Sequence, residues 1–180
     1  MAKHIVLGVT GSIAAYKSAD LIRRLQDKGC DVTVIMTHEA ERFIPSLTLA
    51  SLSGKKVYRD MFDEDGSAWQ MSHIELGQKA DVLLIAPATA NIIGKLACGL
   101  ADDLLTCTVL ATKARLVIAP AMNEAMFKNK IVQDNCEKLR KNGVEFINPV
   151  KGKLACGIVG EGHLAEIEDI VKVVEKIIKK

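Results

Sequence analysis

Residues 81–108 read DVLLIAPATANIIGKLACGLADDLLTCT, and this stretch decides the fold. Val82 to Ala86 is an apolar run without alternation, short enough to be a strand covered on both faces. Pro87 has no N–H to donate and holds Ala86 extended, so the strand is expected to end there. Thr89 and Asn91 follow as small polar groups at the carboxyl end of that strand, the edge where open α/β sheets bind ligands. A helix-like apolar pattern runs on to Gly99. Beyond it the pair Asp102-Asp103 stands directly against Leu104-Leu105. By themselves the two carboxylates read first as helix caps and second as part of a ligand site.

Outward from this stretch, strand and helix alternate. His4 to Thr10 (HIVLGVT) reads as the first strand, and Ile13 to Lys28 as a helix with Ser12 as N-cap and Gly29 after its end. Asp31 to Thr37 is a second strand, and Pro45 is expected to start a short helix toward Leu52. Lys55 to Ser72 is a long polar connection. His73 to Lys79 reads as a short helix, and Arg115 to Ala121 (RLVIAPA) as another buried strand. Lys130 to Asn142 is a helix closed by Gly143, Val144 to Pro149 the last strand, and Glu166 to Lys180 an amphipathic helix. The pattern predicts an α/β fold: one Rossmann-like (flavodoxin-like) domain over residues 1–180, a parallel sheet with helices on both faces.

Composition narrows the function. The 180 residues are 49% hydrophobic but only 4% aromatic, so aliphatic side chains must build the core. A net charge of +2 gives no ground for a nucleic-acid partner. No apolar run approaches the ~20 residues that span a membrane, and Met1-Ala2-Lys3 leads straight into a strand, so a cytoplasmic protein is expected. The cysteines at 30, 98, 107, 136 and 156 are odd in number and scattered. They suggest neither a disulfide framework nor, without a CxxC pair, a zinc site or other metal centre.

The first strand ends in Gly8-Val9-Thr10-Gly11-Ser12, neither GxGxxG nor GxxxxGK[ST]. A helix N-terminus there could receive a phosphate, or the segment could be an ordinary strand–helix turn with a capping serine. The second strand ends in Thr37-His38 rather than in an acidic ribose ligand, which fits a mononucleotide such as FMN better than NAD. Asn123 closes another strand end, where its amide could meet a substrate carboxylate or simply make a turn. His73 could cap its helix or act in catalysis. Cys156 lies in KLACGIVGEGHL, a glycine-rich loop able to act as a flap. Cys98 and Cys107 fall in apolar helical patterns and, with Cys30 and Cys136, are expected to be structural.

Five segments together, GVTGSIAAYK (8–17), HIELGQKAD (73–81), PATANIIGKLACGLADDLL (87–105), PAMNEAM (120–126) and LACGIVGEGHL (154–164), resemble the homo-oligomeric flavin-containing cysteine decarboxylases over essentially the whole chain. The resemblance is greatest to the branch that acts in coenzyme A biosynthesis, including the amino-terminal half of its bifunctional enzyme. It implies FMN, bound by Gly11, Ser12, Ile13 and Thr37 with the turn Ala88-Thr89-Ala90 and with Ala101, Asp102 and Asp103. It implies His73 as active-site histidine, Asn123 with Met122 on the substrate, and Ala155-Cys156-Gly157 on a substrate flap with Cys156 as acid. It further implies 4′-phosphopantothenoylcysteine as the small-molecule substrate, a homotrimer or a dodecamer built of trimers, and a synthetase domain that can be covalently fused. His163 departs from the family pattern, standing where arginine is usual.

The residue types suit the implied chemistry. Direct loss of CO2 from a cysteinyl carboxylate would leave an unstabilised carbanion. Hydride removal from the CH2–SH group first makes a thioaldehyde, an electron sink β to the carboxylate. CO2 then leaves to give an enethiolate, which needs a proton on carbon and the hydride returned. A free thiol, with pKa roughly 8.5, is protonated near neutrality and can supply that proton. Three other readings share parts of the pattern: a peptidyl-cysteine decarboxylase, a flavin prenyltransferase, and a non-catalytic flavin-binding regulatory subunit. The first would take a peptide and stop at the enethiol. The second would not be expected to carry PAMN and ACG together, and the third need not keep His73, Asn123 and Cys156.

Overall fold

The computed structural model describes residues 2–62, 72–153 and 159–179. In chain order it contains β1 (His4–Val9), a 3-10 helix (Ile13–Lys17), α1 (Ser18–Asp27), β2 (Asp31–Met36), α2 (Ser46–Ser53) and β3 (Val57–Tyr58). Then come α3 (Ser72–Lys79), β4 (Val82–Ala88), α4 (Ala90–Cys98), α5 (Leu104–Ala111), β5 (Arg115–Pro120) and α6 (Glu124–Lys128). α7 (Lys130–Lys141), β6 (Glu145–Phe146), β7 (Val150–Lys153), β8 (Val159–His163) and α8 (Ile167–Ile178) complete it.

Six strands form one parallel sheet in the order β3-β2-β1-β4-β5-β6, while β7 and β8 pair antiparallel as a separate hairpin. The chain winds outward from β1 to β3, then returns to β4 on the other side of β1. This reversal opens a crevice beyond the carboxyl ends of β1 and β4, the usual ligand position in such sheets.

Strand alternation divides the core. Ile5, Leu7, Val34, Leu84 and Ala119 face α1, α2 and α8; Val6, Ile35, Leu83, Ile85 and Ile118 face α3, α4, α5 and α7. The central strands are apolar throughout because both faces are covered. On the second face Gly8 lets α5 approach β1: a Cβ there would lie 2.7 Å from a methyl of Leu105.

Several expected boundaries change. β4 runs past Pro87 to Ala88, across a cis Ala86–Pro87 peptide. The β4–β5 ladder shifts register between Ile85 and Ala88, so the missing proline donor falls in an irregularity rather than ending the strand. The polar connection after Lys55 contains β3, whose two residues pair with Val34 and Ile35; residues 63–71 lie outside the described residues. The expected final strand contracts to Glu145–Phe146, and the next paired residues belong to the hairpin. The helix after Ser12 opens as a 3-10 turn, with the Ser12 hydroxyl accepting from Ala14 N–H at 3.3 Å. Cys30 and Cys136 are buried as expected, but Cys98, the last residue of α4, is exposed and Cys107 half-buried.

Candidate active site

A cavity of about 830 Å³ occupies the crevice beyond the β1 and β4 ends. It is within the roughly 300–1,000 Å³ of small-molecule and cofactor sites. Thr10 to Ala14 form one wall, Thr89 to Ile92 a second, and Ala121 to Asn123 with Gly162 to Leu164 a third.

Thr10 holds the first two walls together. Its hydroxyl donates to the Pro87 carbonyl at 2.7 Å and accepts from the Thr89 N–H at 3.1 Å. Ser18 Oγ donates to the Ala86 carbonyl at 3.2 Å nearby. Thr89 in turn caps α4, accepting from Ile92 N–H at 3.3 Å. Thr37, at the end of β2, also lines the cavity, and its buried hydroxyl has no hydrogen-bond partner among the described residues. A buried hydroxyl without a partner is costly, and a ligand in the cavity could relieve it.

Asp103 is both cap and wall. Its carboxylate accepts from the Thr106 N–H and hydroxyl, each at 2.8 Å, in a capping box that starts α5. Burial alone would raise its pKa. The Thr106 bonds and Lys95, 3.0 Å away, outweigh burial and hold the carboxyl below the ordinary range. Asp102 points to Lys95 at 2.8 Å and is largely exposed.

Asn123 caps α6, its side-chain oxygen accepting from Ala125 N–H at 2.9 Å. The corner 121–123 is bound to the hairpin: Met122 N–H donates to the Gly162 carbonyl at 3.0 Å. Gly162 has φ +147, and a Cβ there would collide with the Met122 carbonyl oxygen. Only glycine suits that position, on backbone conformation and on space.

Of the residues singled out from sequence, Gly11, Ser12, Ile13, Thr37, Thr89, Ala90, Asp103, Met122 and Asn123 share this cavity. Ala88 is fully buried as the last residue of β4, and Ala101 and Asp102 do not line the cavity. His73 sits half-buried on α3, which packs against α5, and is absent from the lining of its own chain's cavity. Ala155, Cys156 and Gly157 lie outside the described residues, between the hairpin strands. Thr10, Lys17, Glu39, Met126 and Leu164 also line the cavity and were not singled out. A threonine closing an apolar strand at a chain reversal was the available signal for Thr10; the others carry none.

Among the described residues no helix is long and apolar enough to cross a membrane. The Flavoprotein family model matches residues 1–179. The coenzyme A biosynthesis bifunctional protein CoaBC of Bacillus subtilis is 48% identical over 174 residues, 97% of this chain. The chain spans 43% of the length of that relative and of its Vibrio vulnificus counterpart. A solved PPC decarboxylase mutant, complexed with pantothenoylaminoethenethiol, superposes with TM-score 0.90 at 33% identity, covering 100% of both chains. The FMN-dependent cysteine decarboxylase SpaF gives TM-score 0.84 at 32% identity, covering 98% of this chain and 97% of its own. With its switch-point cavity and a family match across nearly every residue, the chain belongs to the Flavoprotein family.

Proposed function

We propose that residues 1–180 form an FMN-dependent decarboxylase domain converting 4′-phosphopantothenoylcysteine to 4′-phosphopantetheine in coenzyme A biosynthesis, in the cytoplasm. One observation carries this reading: a single cavity gathers the β1 turn, the Thr89–Ile92 turn, Asn123 and the end of β8 at Gly162 and His163. The 48% identity to a coenzyme A biosynthesis protein and the superposition on a PPC decarboxylase support the small phosphorylated substrate.

The residues present fit FMN. The cavity is largely apolar, has the volume of a cofactor site, and offers the partnerless Thr37 hydroxyl. Gly11, Ser12, Ile13, Thr37, Thr89, Ala90 and Asp103 would hold the cofactor. Bound there, FMN would accept a hydride from the thiol-bearing CH2 of the substrate and return it after CO2 has left.

The protein supplies orientation and protons. Asn123 donates its NH2 to the substrate carboxylate, fixing it without an ion pair that would oppose loss of CO2. Cys156 gives its proton to the carbon that CO2 has vacated. His73 acts in the early steps, and its place on α3 supports a site completed by a neighbouring subunit. The exposed side chains Ile13, Tyr16 and Met126 at the cavity likewise support burial by self-association, as a homotrimer or a dodecamer of trimers. The partial coverage of the curated relatives supports a covalently fused synthetase domain as a further partner.

The purified protein should show an oxidised-flavin absorption spectrum. Given 4′-phosphopantothenoylcysteine, it should release CO2 and form 4′-phosphopantetheine, identified by mass spectrometry. A protein that retains no FMN, or one loaded with FMN that leaves this substrate unchanged, would refute the reading.

A further inference from the structure

His163 ends β8 and lines the cavity. Its Nδ1 lies 2.9 Å from the Leu164 carbonyl oxygen. A carbonyl only accepts, so Nδ1 carries the hydrogen. The Cβ–Cγ–Cδ2 side of the residue packs on Gly152 across the hairpin, where an added Cβ would lie 3.1–3.3 Å from these atoms. The edge remaining for the cavity is Cε1 with Nε2. In the neutral ring of this tautomer Nε2 is an acceptor only. In that form it repels phosphate and carboxylate oxygens and accepts from an N–H or O–H donor.

The neighbouring wall provides the complement. Gly162 is fastened to Met122, and its Cβ position lies 3.4 Å from the Asn123 carbonyl carbon. Asn123, proposed above to hold the substrate carboxylate, and His163 thus belong to one side of the cavity. A cysteinyl group in amide linkage carries the matching pair on a single carbon, with its carboxylate accepting and its amide N–H donating.

We propose that His163 is a further substrate-binding residue, its Nε2 accepting a hydrogen bond from the cysteinyl amide N–H. The assignment rests on the function proposed above and adds the feature by which the site recognises an amide-linked cysteine.

His163→Asn keeps a side-chain N–H for the Leu164 carbonyl but removes the acceptor, whereas His163→Gln can place an amide oxygen near the Nε2 position. One lost neutral hydrogen bond should raise KM roughly three- to tenfold in the Asn variant. Its kcat should stay within about twofold, since the bond is made equally in ground and transition states. The Gln variant should recover most of the loss. An analogue with an ester oxygen in place of the amide N–H should raise KM for the wild type by at least as much, and add little in the Asn variant. Absence of turnover by the FMN-loaded wild type would overturn the functional reading itself. Turnover with KM unchanged in the Asn variant, or an ester penalty equal in both proteins, would overturn the His163 assignment alone. If the Asn variant fails to fold, an ester accepted by the wild type without change in KM would overturn that assignment equally.

Discussion

Replacing Thr10 by valine separates the shape of this buried residue from its hydroxyl. Thr10 is 1% exposed, and valine preserves its branched outline. The hydroxyl serves two backbone groups, the Pro87 carbonyl at 2.7 Å and the Thr89 N–H at 3.1 Å. A buried polar group left without a partner costs about 1–3 kcal/mol. The Pro87 carbonyl should bear the larger share, while half-buried Thr89 keeps some access to water. The combined loss should be about 2–4 kcal/mol, equivalent to a Tm roughly 4–16 °C lower for a chain of this size. Urea unfolding at fixed protein concentration and fixed flavin content measures it. Thr10→Ser is the control, because it loses a methyl group but keeps both bonds. A Thr10→Val cost below about 1 kcal/mol, or a serine variant as unstable as the valine one, would show that the hydroxyl does not join the two turns.

Three further outcomes are expected. Asn123→Asp should keep the α6 cap, because aspartate caps as well as asparagine does. Two carboxylates would then meet in the site, so turnover should fall at least about 100-fold with FMN still bound; near-normal turnover would show that Asn123 does not hold the carboxylate. Cys156→Ser should slow protonation of the enethiolate by roughly 10²–10⁴, bleaching the flavin and accumulating a product two hydrogens lighter by mass spectrometry. Normal formation of phosphopantetheine by that variant would exclude Cys156 as the acid. The third concerns acid. Hydrogen bonding from Lys55 lowers Asp31, and bonds from the His4 N–H and Lys3 lower Asp81. Asp103 is lowered too, its Thr106 and Lys95 bonds outweighing burial. Groups depressed in the folded state stabilise it fully above their unfolded values of about 3.9 and lose that contribution as pH falls through the folded ones. Circular dichroism should therefore place the loss due to these carboxylates below about pH 4, and a structure already lost near pH 5 would contradict their role.

The central sheet was legible because two-sided burial writes itself as unbroken apolar runs such as VLLIA and LVIA. β3 was not, since two residues on a sheet edge leave no periodic signal. The hairpin escaped for a related reason: VKGK and VGEGH have no apolar face, and their pairing depends on long-range register. Strand ends and turns were legible as site positions because topology alone brings them together. The two hydrogen bonds of the Thr10 hydroxyl and the tautomer of His163 depend on contacts across the fold, which local sequence does not encode. Nor does spacing along the chain reveal that His73 is absent from the cavity shared by residues of the other motifs.

The apolar side chains at the cavity wall have a thermodynamic consequence. Ile13 is 56% exposed, Tyr16 58% and Met126 49%, and all three belong to the lining. In the assembled state proposed above, one set of side chains would serve both the ligand and the adjoining subunit. Cofactor affinity and subunit affinity then become linked equilibria, each strengthened by the other by the same factor. Dilution should weaken FMN retention, removal of FMN should loosen the assembly, and melting temperature should depend on protein concentration as well as on sequence.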